Sequence, residues 1–144
     1  MEFIIEYLKE FTAHSEAITC ICINEALNII ITGGEDGYVY IRNYYDLKIL
    51  TVIKPEINNT SNKIKMKILD IKISEYDLVY VNCFIQDEMF LFGYNLNGLK
   101  FGTFKAAINQ FEFTPTGKLM VNEYFSKELK IYHPVTFKLV IINK

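Results

Sequence analysis

Four strand-like runs recur in the same order along the 144 residues, and such an internal repeat restricts the chain to very few folds. Ile18–Asn24, Ile68–Ser74 and Ile108–Thr114 each alternate faces and end in a small polar residue. A turn and a second run follow each of them, at Leu27–Thr32, Leu78–Asn82 and Lys118–Asn122. Third runs stand at Tyr38–Tyr44, Met89–Asn95 and Glu128–His133. Fourth runs open on Leu47-Lys48, Leu99-Lys100 and Phe137-Lys138, and Tyr7-Leu8-Lys9 fits the same opening. From Leu8 the spacings are 39, 52 and 38 residues. The longest interval is a unit of about forty residues with an insertion. That insertion is the polar, aperiodic stretch Glu56–Lys63 that follows Pro55.

The sharpest local signal lies within the first unit, at Thr32-Gly33-Gly34-Glu35-Asp36-Gly37-Tyr38-Val39-Tyr40-Ile41. An Asp-Gly pair between two β-rich runs predicts a hairpin, because such turns need positive φ, which Gly adopts freely. The third unit carries Phe113-Thr-Pro-Thr-Gly-Lys-Leu119, with Pro and Gly where a β-turn wants them. The chain is poor in Gly, with seven residues, so Asn24, Asn28, Asn58, Asn59, Asn95 and Asn97 are expected to take over part of the turn chemistry. No window sustains a 3.6-residue apolar period, so little helix is predicted, with Phe3–Phe11 open between helix and strand. Four strands per unit of about forty residues are the signature of β-propeller blades, small sheets that bury both faces only when neighbours pack on them.

Composition narrows the function. A hydrophobic fraction of 51% argues for a packed core over disorder. A net charge of −2 argues against a general nucleic-acid binder or a binder of anionic membranes. The cluster Lys63, Lys65 and Lys67 reads as a solvated loop in a Lys-rich chain. Cys20, Cys22 and Cys83 are odd in number and lack framework spacing, which fits buried thiols in a reducing cytoplasm. The opening Met1–Glu6 lacks the basic start and long apolar core of a signal peptide, and no apolar run is long enough for a bilayer span. Glu35/Asp36 and Asp87/Glu88 fall at turns, and Gly33-Gly34 is too short to cradle a phosphate. His14 with Cys20 and Cys22 falls short of the paired four-ligand spacing of a structural zinc. No catalytic residue, metal or cofactor is therefore expected.

Thr32, Gly33, Asp36, Gly37, Val39 and Ile41 resemble the WD40 repeat, whose blade ends Ser-Gly-Ser-x-Asp-Gly-Thr-Val-x-Leu-Trp-Asp. Phe113–Leu119 is similar to the family's Phe-Ser-Pro-Asp-Gly-Lys-Leu turn. The resemblance implies an all-β fold, a partial WD40-type propeller of about three four-stranded antiparallel blades plus one extra N-terminal strand. The blades are expected at 12–55, 68–106 and 107–144, with an outer strand of a preceding blade at 1–11 and an inserted loop at 56–67. It also implies a structural hydrogen-bonded tetrad in which His14, Thr32 and Asp36 are three members. Arg42 and Asn43 stand where Trp-Asp is expected, so the fourth member is altered. Tyr94 and Tyr132 hold that Trp position in the other two units, neither of which has the upstream His.

A narrower resemblance joins His14, Ile18–Cys20, Gly33–Gly37, Leu47–Leu50, Ile71–Ser74 and Leu91–Gly98 to the C-terminal WD40 region of BEACH-domain proteins of the neurobeachin type. It implies a non-catalytic protein–protein interaction scaffold acting in vesicle trafficking, cytoplasmic and peripheral to membranes through a parent protein. Tyr38, Tyr40, Arg42 and Tyr44 are the interaction candidates, since Tyr and Arg are enriched at binding hot spots. The same four are open to a reading as packing between blades. Three blades are fewer than a closed ring needs, so self-association or a completing partner chain is a further expectation. Two alternatives stand beside the scaffold: a structural component of a large assembly whose propeller another chain completes, and a propeller-type hydrolase.

Overall fold

The computed structural model describes residues 10–57 and 65–140. Among them, eleven strands form three antiparallel meanders in chain order. The first sheet is β1 (Ile18–Asn24), β2 (Ile29–Gly34), β3 (Val39–Asn43) and β4 (Ile49–Ile53). The second is β5 (Met66–Ile73), β6 (Val79–Ile85), β7 (Glu88–Tyr94) and β8 (Lys100–Lys105). The third is β9 (Ile108–Phe113), β10 (Leu119–Glu123) and β11 (Leu129–Tyr132), with a bridge from Tyr132 to Leu139 starting a fourth line. The expected N-terminal strand, and the heart of the expected insertion, lie outside the described residues.

Sequence chemistry fixes the turns. The small polar residue that ends each first strand accepts hydrogen bonds from the turn it opens. Asn24 Oδ1 accepts from Leu27 N, Ser74 Oγ from Tyr76 N and Leu78 N, and Thr114 Oγ1 from Lys118 N. Each of these turns then needs one left-handed residue, supplied by Asn28, Asp77 and Gly117 (φ 53°, 60° and 82°). The third-to-fourth strand turns repeat the device. Asn43 Oδ1 accepts from Tyr45 N and Asp46 N, Asn95 Oδ1 from Asn97 N and Leu99 N, and His133 Nδ1 from Val135 N and Thr136 N.

Two sequence expectations are corrected here. Among the described Asn residues only Asn28 takes positive φ; Asn24 and Asn95 serve as side-chain acceptors instead. The Leu-Lys openings are not equivalent either. Leu47 and Phe137 sit in the turn at positive φ, a place that Gly98 fills in the middle unit. The middle turn is one residue shorter: Asn95 N donates to Leu99 O, whereas Asn43 N donates to Lys48 O and His133 N to Lys138 O.

Sheet-on-sheet packing makes two cores. One joins the first and second sheets through Ile29, Ile31, Val39 and Ile41 on one side and Ile68, Ile71, Val81 and Phe92 on the other. The other joins the second and third sheets, where Tyr80 and Leu91 meet Phe111, Leu119, Val121 and Phe137. The Tyr80 hydroxyl is satisfied by donating to Pro134 O at 2.8 Å. The second sheet is thus covered on both faces, which is why Val79, Tyr80, Val81, Leu91 and Phe92 are all buried. Cys20 and Cys22 pack against the first core and Cys83 lies within it; burial pushes the Cys20 thiol up to about 11 and that of Cys83 to about 12. A thiol that loses its proton so reluctantly is a poor nucleophile and metal ligand.

Gly33 sets the spacing of the first core. A β-carbon there would lie 2.5 Å from Ile68 Cγ2 and 2.9 Å from Ile71 Cδ1, closer than real packing allows. Gly33→Ala is expected to cost about 1–3 kcal/mol of unfolding free energy as an overpacked core, read from urea denaturation; an unchanged midpoint would contradict the close approach of these two sheets.

Candidate functional site

The chemically richest place in the chain is the edge of the first sheet, where the approach to β1 meets the β2–β3 turn. Gly37 at φ 79° makes that turn, and Gly37 N donates to Gly34 O. The turn aims Asp36 back at residues 14 and 15. His14 Nδ1 lies 3.0 Å from Asp36 Oδ1, and His14 Nε2 lies 2.8 Å from Thr32 Oγ1. A carboxylate only accepts, so Nδ1 carries the proton, and in the neutral ring Nε2 accepts from the Thr32 hydroxyl. Asp36 also accepts from Tyr38 N and Ser15 N, each at 3.1 Å. Burial alone would raise the Asp36 carboxyl, but the donors of His14, Tyr38 and Ser15 together hold it below the usual range.

The three tetrad candidates His14, Thr32 and Asp36 are thus brought together. Arg42, standing at the family's Trp position, reaches the same group by another route. Its Nη1 approaches Thr32 Oγ1 at 3.5 Å, its Nη2 donates to Ala13 O at 3.0 Å, and its guanidinium lies over the rings of Phe11 and Tyr40. Arg42 is only 6% exposed, so it is not the surface arginine that a hot-spot reading asks for. The faces of both rings attract the guanidinium, which offsets part of the cost of burying it. Gly34 permits the assembly: a β-carbon there would lie 2.7 Å from His14 Nδ1 and 2.9 Å from Asp36 Oδ1.

The tyrosine candidates fall on or beside one face of the first sheet. Cross-strand register aligns Ile21, Thr32, Tyr40 and Val52 in one row and Ile23, Ile30, Arg42 and Ile49 in the next. Side chains in register share a face. This face points away from the second sheet; Phe11, Ala13 and His14 lie on its middle, where Thr32 and Arg42 are buried, and its margins are open, with Ile21 64% exposed, Ile23 51%, and Ile49 and Val52 at about half. Tyr38 stacks on Tyr40 at 5.9 Å, and Lys54 lies over the Tyr38 ring. Tyr44 and Tyr45 meet at right angles on the β3–β4 turn. With Ile23, Glu25 and Asn28 they line a cleft of about 310 Å³ at the margin of the face. The exposed isoleucines were not singled out from the sequence, although the alternation of β1 puts Ile21 and Ile23 on one side. Among the described residues no cluster of His, Cys, Asp and Glu has the makings of a metal site, and no helix is long and apolar enough to cross a membrane.

Sheets in chain order, each packing a face on the next, define a partial β-propeller. Residues 5–43 match the family described as WD domain, G-beta repeat. The whole chain is similar to the crystal structure of the computationally designed Ika4 protein, with a TM-score of 0.69 at 14% identity over 97% of this chain and 80% of that one. None of the curated proteins matches it in sequence. The fold is an all-β, partial propeller of WD40 type.

Two outcomes follow from this geometry. His14→Ala removes two buried hydrogen bonds and is expected to cost about 1–3 kcal/mol; thermal unfolding at the wild-type temperature would exclude any structural role for the chain of contacts. The depressed Asp36 carboxyl stabilises the fold fully above about pH 4, the ordinary carboxylate range. That contribution is lost as pH falls through the lowered folded-state value. Urea unfolding of Asp36→Asn across acid pH is therefore expected to fall less steeply than that of the wild type, and parallel curves would contradict the assignment.

Proposed function

We propose that the chain is a non-catalytic protein–protein interaction scaffold whose docking surface is the face of the first sheet that points away from the second. The observation that carries this reading is the row of half-exposed Ile21, Ile23, Ile49 and Val52 on a face built like those that are covered elsewhere in the fold. Exposed apolar residues at both margins of a sheet face are the kind of surface that protein contacts cover. Tyr40 lies within the face and Tyr38 and Tyr44 at its border, so these three candidates adjoin the apolar positions, whereas Arg42 of the same rows is buried against Phe11 and Ala13. WD40 domains in general mediate protein–protein contacts, which agrees with it. His14, Thr32 and Asp36 act structurally in this reading: they fix the turn that carries Tyr38 and Tyr40. The hydrolase alternative finds no support in the buried thiols or in Asp36, whose acceptor positions are filled by His14, Tyr38 and Ser15.

The BEACH-type resemblance extends the proposal to a parent protein that acts in vesicle trafficking from the cytoplasm, with membranes reached through its partners. A second reading is favoured by the same exposed face: the chain is one part of an assembly in which another blade completes the propeller. Affinity purification of the tagged chain from cells, beside an Ile23→Glu variant, tests the docking surface. The variant is expected to lose the trafficking proteins that the wild type recovers; an unchanged set of partners would refute the surface assigned here.

A further inference from the structure

We infer that the cleft beside Tyr44 and Tyr45 holds an N-methylated ammonium group, carried by a methylated lysine of a protein partner. The inference rests on the protein-docking reading above for the source of that cation, and adds the chemistry that the site selects.

Two aromatic walls and a carboxylate define the cleft. Tyr44 and Tyr45 meet at right angles with ring centroids 5.4 Å apart, and Ile23, Glu25 and Asn28 complete the walls of a space of about 310 Å³. Tyr44 is 49% exposed and Tyr45 75%, so both rings reach solvent. The face of an aromatic ring attracts a cation, and two rings at an angle offer a corner for it. Glu25 is exposed. Among the described residues no ion pair or hydrogen bond engages its carboxylate, and no basic side chain lines the cleft.

The rings are not what builds this turn. Tyr45 N and Asp46 N donate to Asn43 Oδ1, Tyr44 N donates to Asn28 O, and Leu47 takes the left-handed position at φ 61°. The tyrosines contribute only backbone amides to these bonds. The matching turns of the other two sheets keep the side-chain acceptor, Asn95 or His133, and carry Leu96-Asn97 and Pro134-Val135 in place of the two tyrosines. Of the three described turns, the first alone sets two exposed rings beside an unengaged carboxylate, on backbone that is already fixed. A site held in its binding shape in this way loses little freedom when a ligand arrives.

The lining also selects among cations. An unmodified lysine ammonium is compact and strongly hydrated, and the rings cannot replace its water. A guanidinium brings five N–H donors, more than the Glu25 carboxylate and the Asn28 amide can accept together. A trimethylated ammonium has no N–H to satisfy. Its methyl groups pack on Ile23 and both rings while its full charge is kept for Glu25. The volume lies at the lower end of ligand pockets, about 300 Å³, and suits such a headgroup. Phosphocholine carries the same group, but its phosphate would stand near Glu25 and be repelled, which favours a lysine side chain as the source.

Proton NMR of the full chain tests this with short peptides that differ at one side chain: Nε-trimethyllysine, unmodified lysine, and a neutral isostere with tert-butyl in place of trimethylammonium. The trimethylated peptide is expected to bind, its N-methyl signal moving upfield in the ring currents and receiving saturation from tyrosine ring protons. The other two are each expected to bind about three- to tenfold more weakly, the range that cation–ring attraction supplies. Equal binding of the neutral peptide would reduce the site to an apolar cleft and overturn the inference. Equal binding of unmodified lysine, tighter binding of phosphocholine, or no binding at all would overturn it too. Tyr45→Ala and Glu25→Gln remove exposed groups outside the bonds of the turn, and each is expected to weaken the trimethylated peptide by a similar factor. Tyr45→Phe, which keeps the ring, is expected to bind as the wild type does. Binding that ignores both Tyr45→Ala and Glu25→Gln lies elsewhere and overturns the assignment. Ile23→Glu adds a carboxylate to the cleft and keeps both rings, so it is expected to retain the trimethylated peptide while it loses apolar docking. Peptide binding with cellular partners unchanged on Ile23→Glu would leave the cleft standing and end the docking face; partners lost without any peptide binding would do the reverse.

Discussion

Everything in this fold depends on covering apolar sheet faces. A propeller blade is too thin to bury its own side chains, so each face is stable only against the next sheet. Fully burying an isoleucine or phenylalanine is worth about 1.5–3 kcal/mol, and the second sheet, clad on both sides, commits Val79, Tyr80, Val81, Leu91 and Phe92 in this way. Among the described residues the first and third sheets meet another sheet on one side only, so the best-buried part of the molecule is the middle blade.

This constraint explains why the hydrogen-bonded chain of His14, Asp36, Thr32 and Arg42 lies where it does. It stands on the open side of the first sheet, where apolar burial is weakest. There it ties the entry to β1, the end of β2 and the middle of β3 into one unit. Polar contacts become dependable only when every member is satisfied. Asp36 achieves that with four donors, two of them backbone amides, and Thr32 by standing between an imidazole and a guanidinium. Arg42 is the instructive member. Its long cation is accommodated inside the fold because the head is shared among Ala13 O, Thr32 and two rings.

Much of this was legible in the sequence. The repeat of first strands gave β1 to the residue, because strict alternation closed by Asn24, Ser74 or Thr114 marks both the strand and its turn. Asp36-Gly37 gave the hairpin, since positive φ leaves few choices of residue. His14, Thr32 and Asp36 were brought out by the family pattern; nothing in their spacing alone predicts that a histidine 22 residues away meets Asp36. The fourth-strand openings misled because they are defined by a turn, and turns differ by a residue without altering the sheets they join. Leu47 and Phe137 in left-handed conformations are invisible to propensity, and Phe137 is held there by packing in the second core that only the tertiary fold supplies. Arg42, left open between interaction and packing from the sequence, is buried because acceptors and rings stand ready for its guanidinium.

The exposed isoleucines of β1 show how a sequence pattern can be read correctly and still be underused. Ile21 and Ile23 obey the same alternation as Ile71 and Ile73, and the second pair meets a neighbouring sheet while the first does not. A repeat carries information about its neighbours as well as itself, because each unit's face is shaped to receive the unit before it. An exposed face that departed from the pattern of its siblings would point to a specialised ligand. This one keeps the pattern, with Ile21 and Ile23 standing where Ile71 and Ile73 stand in the second sheet, so it is built by the same rule that builds the core.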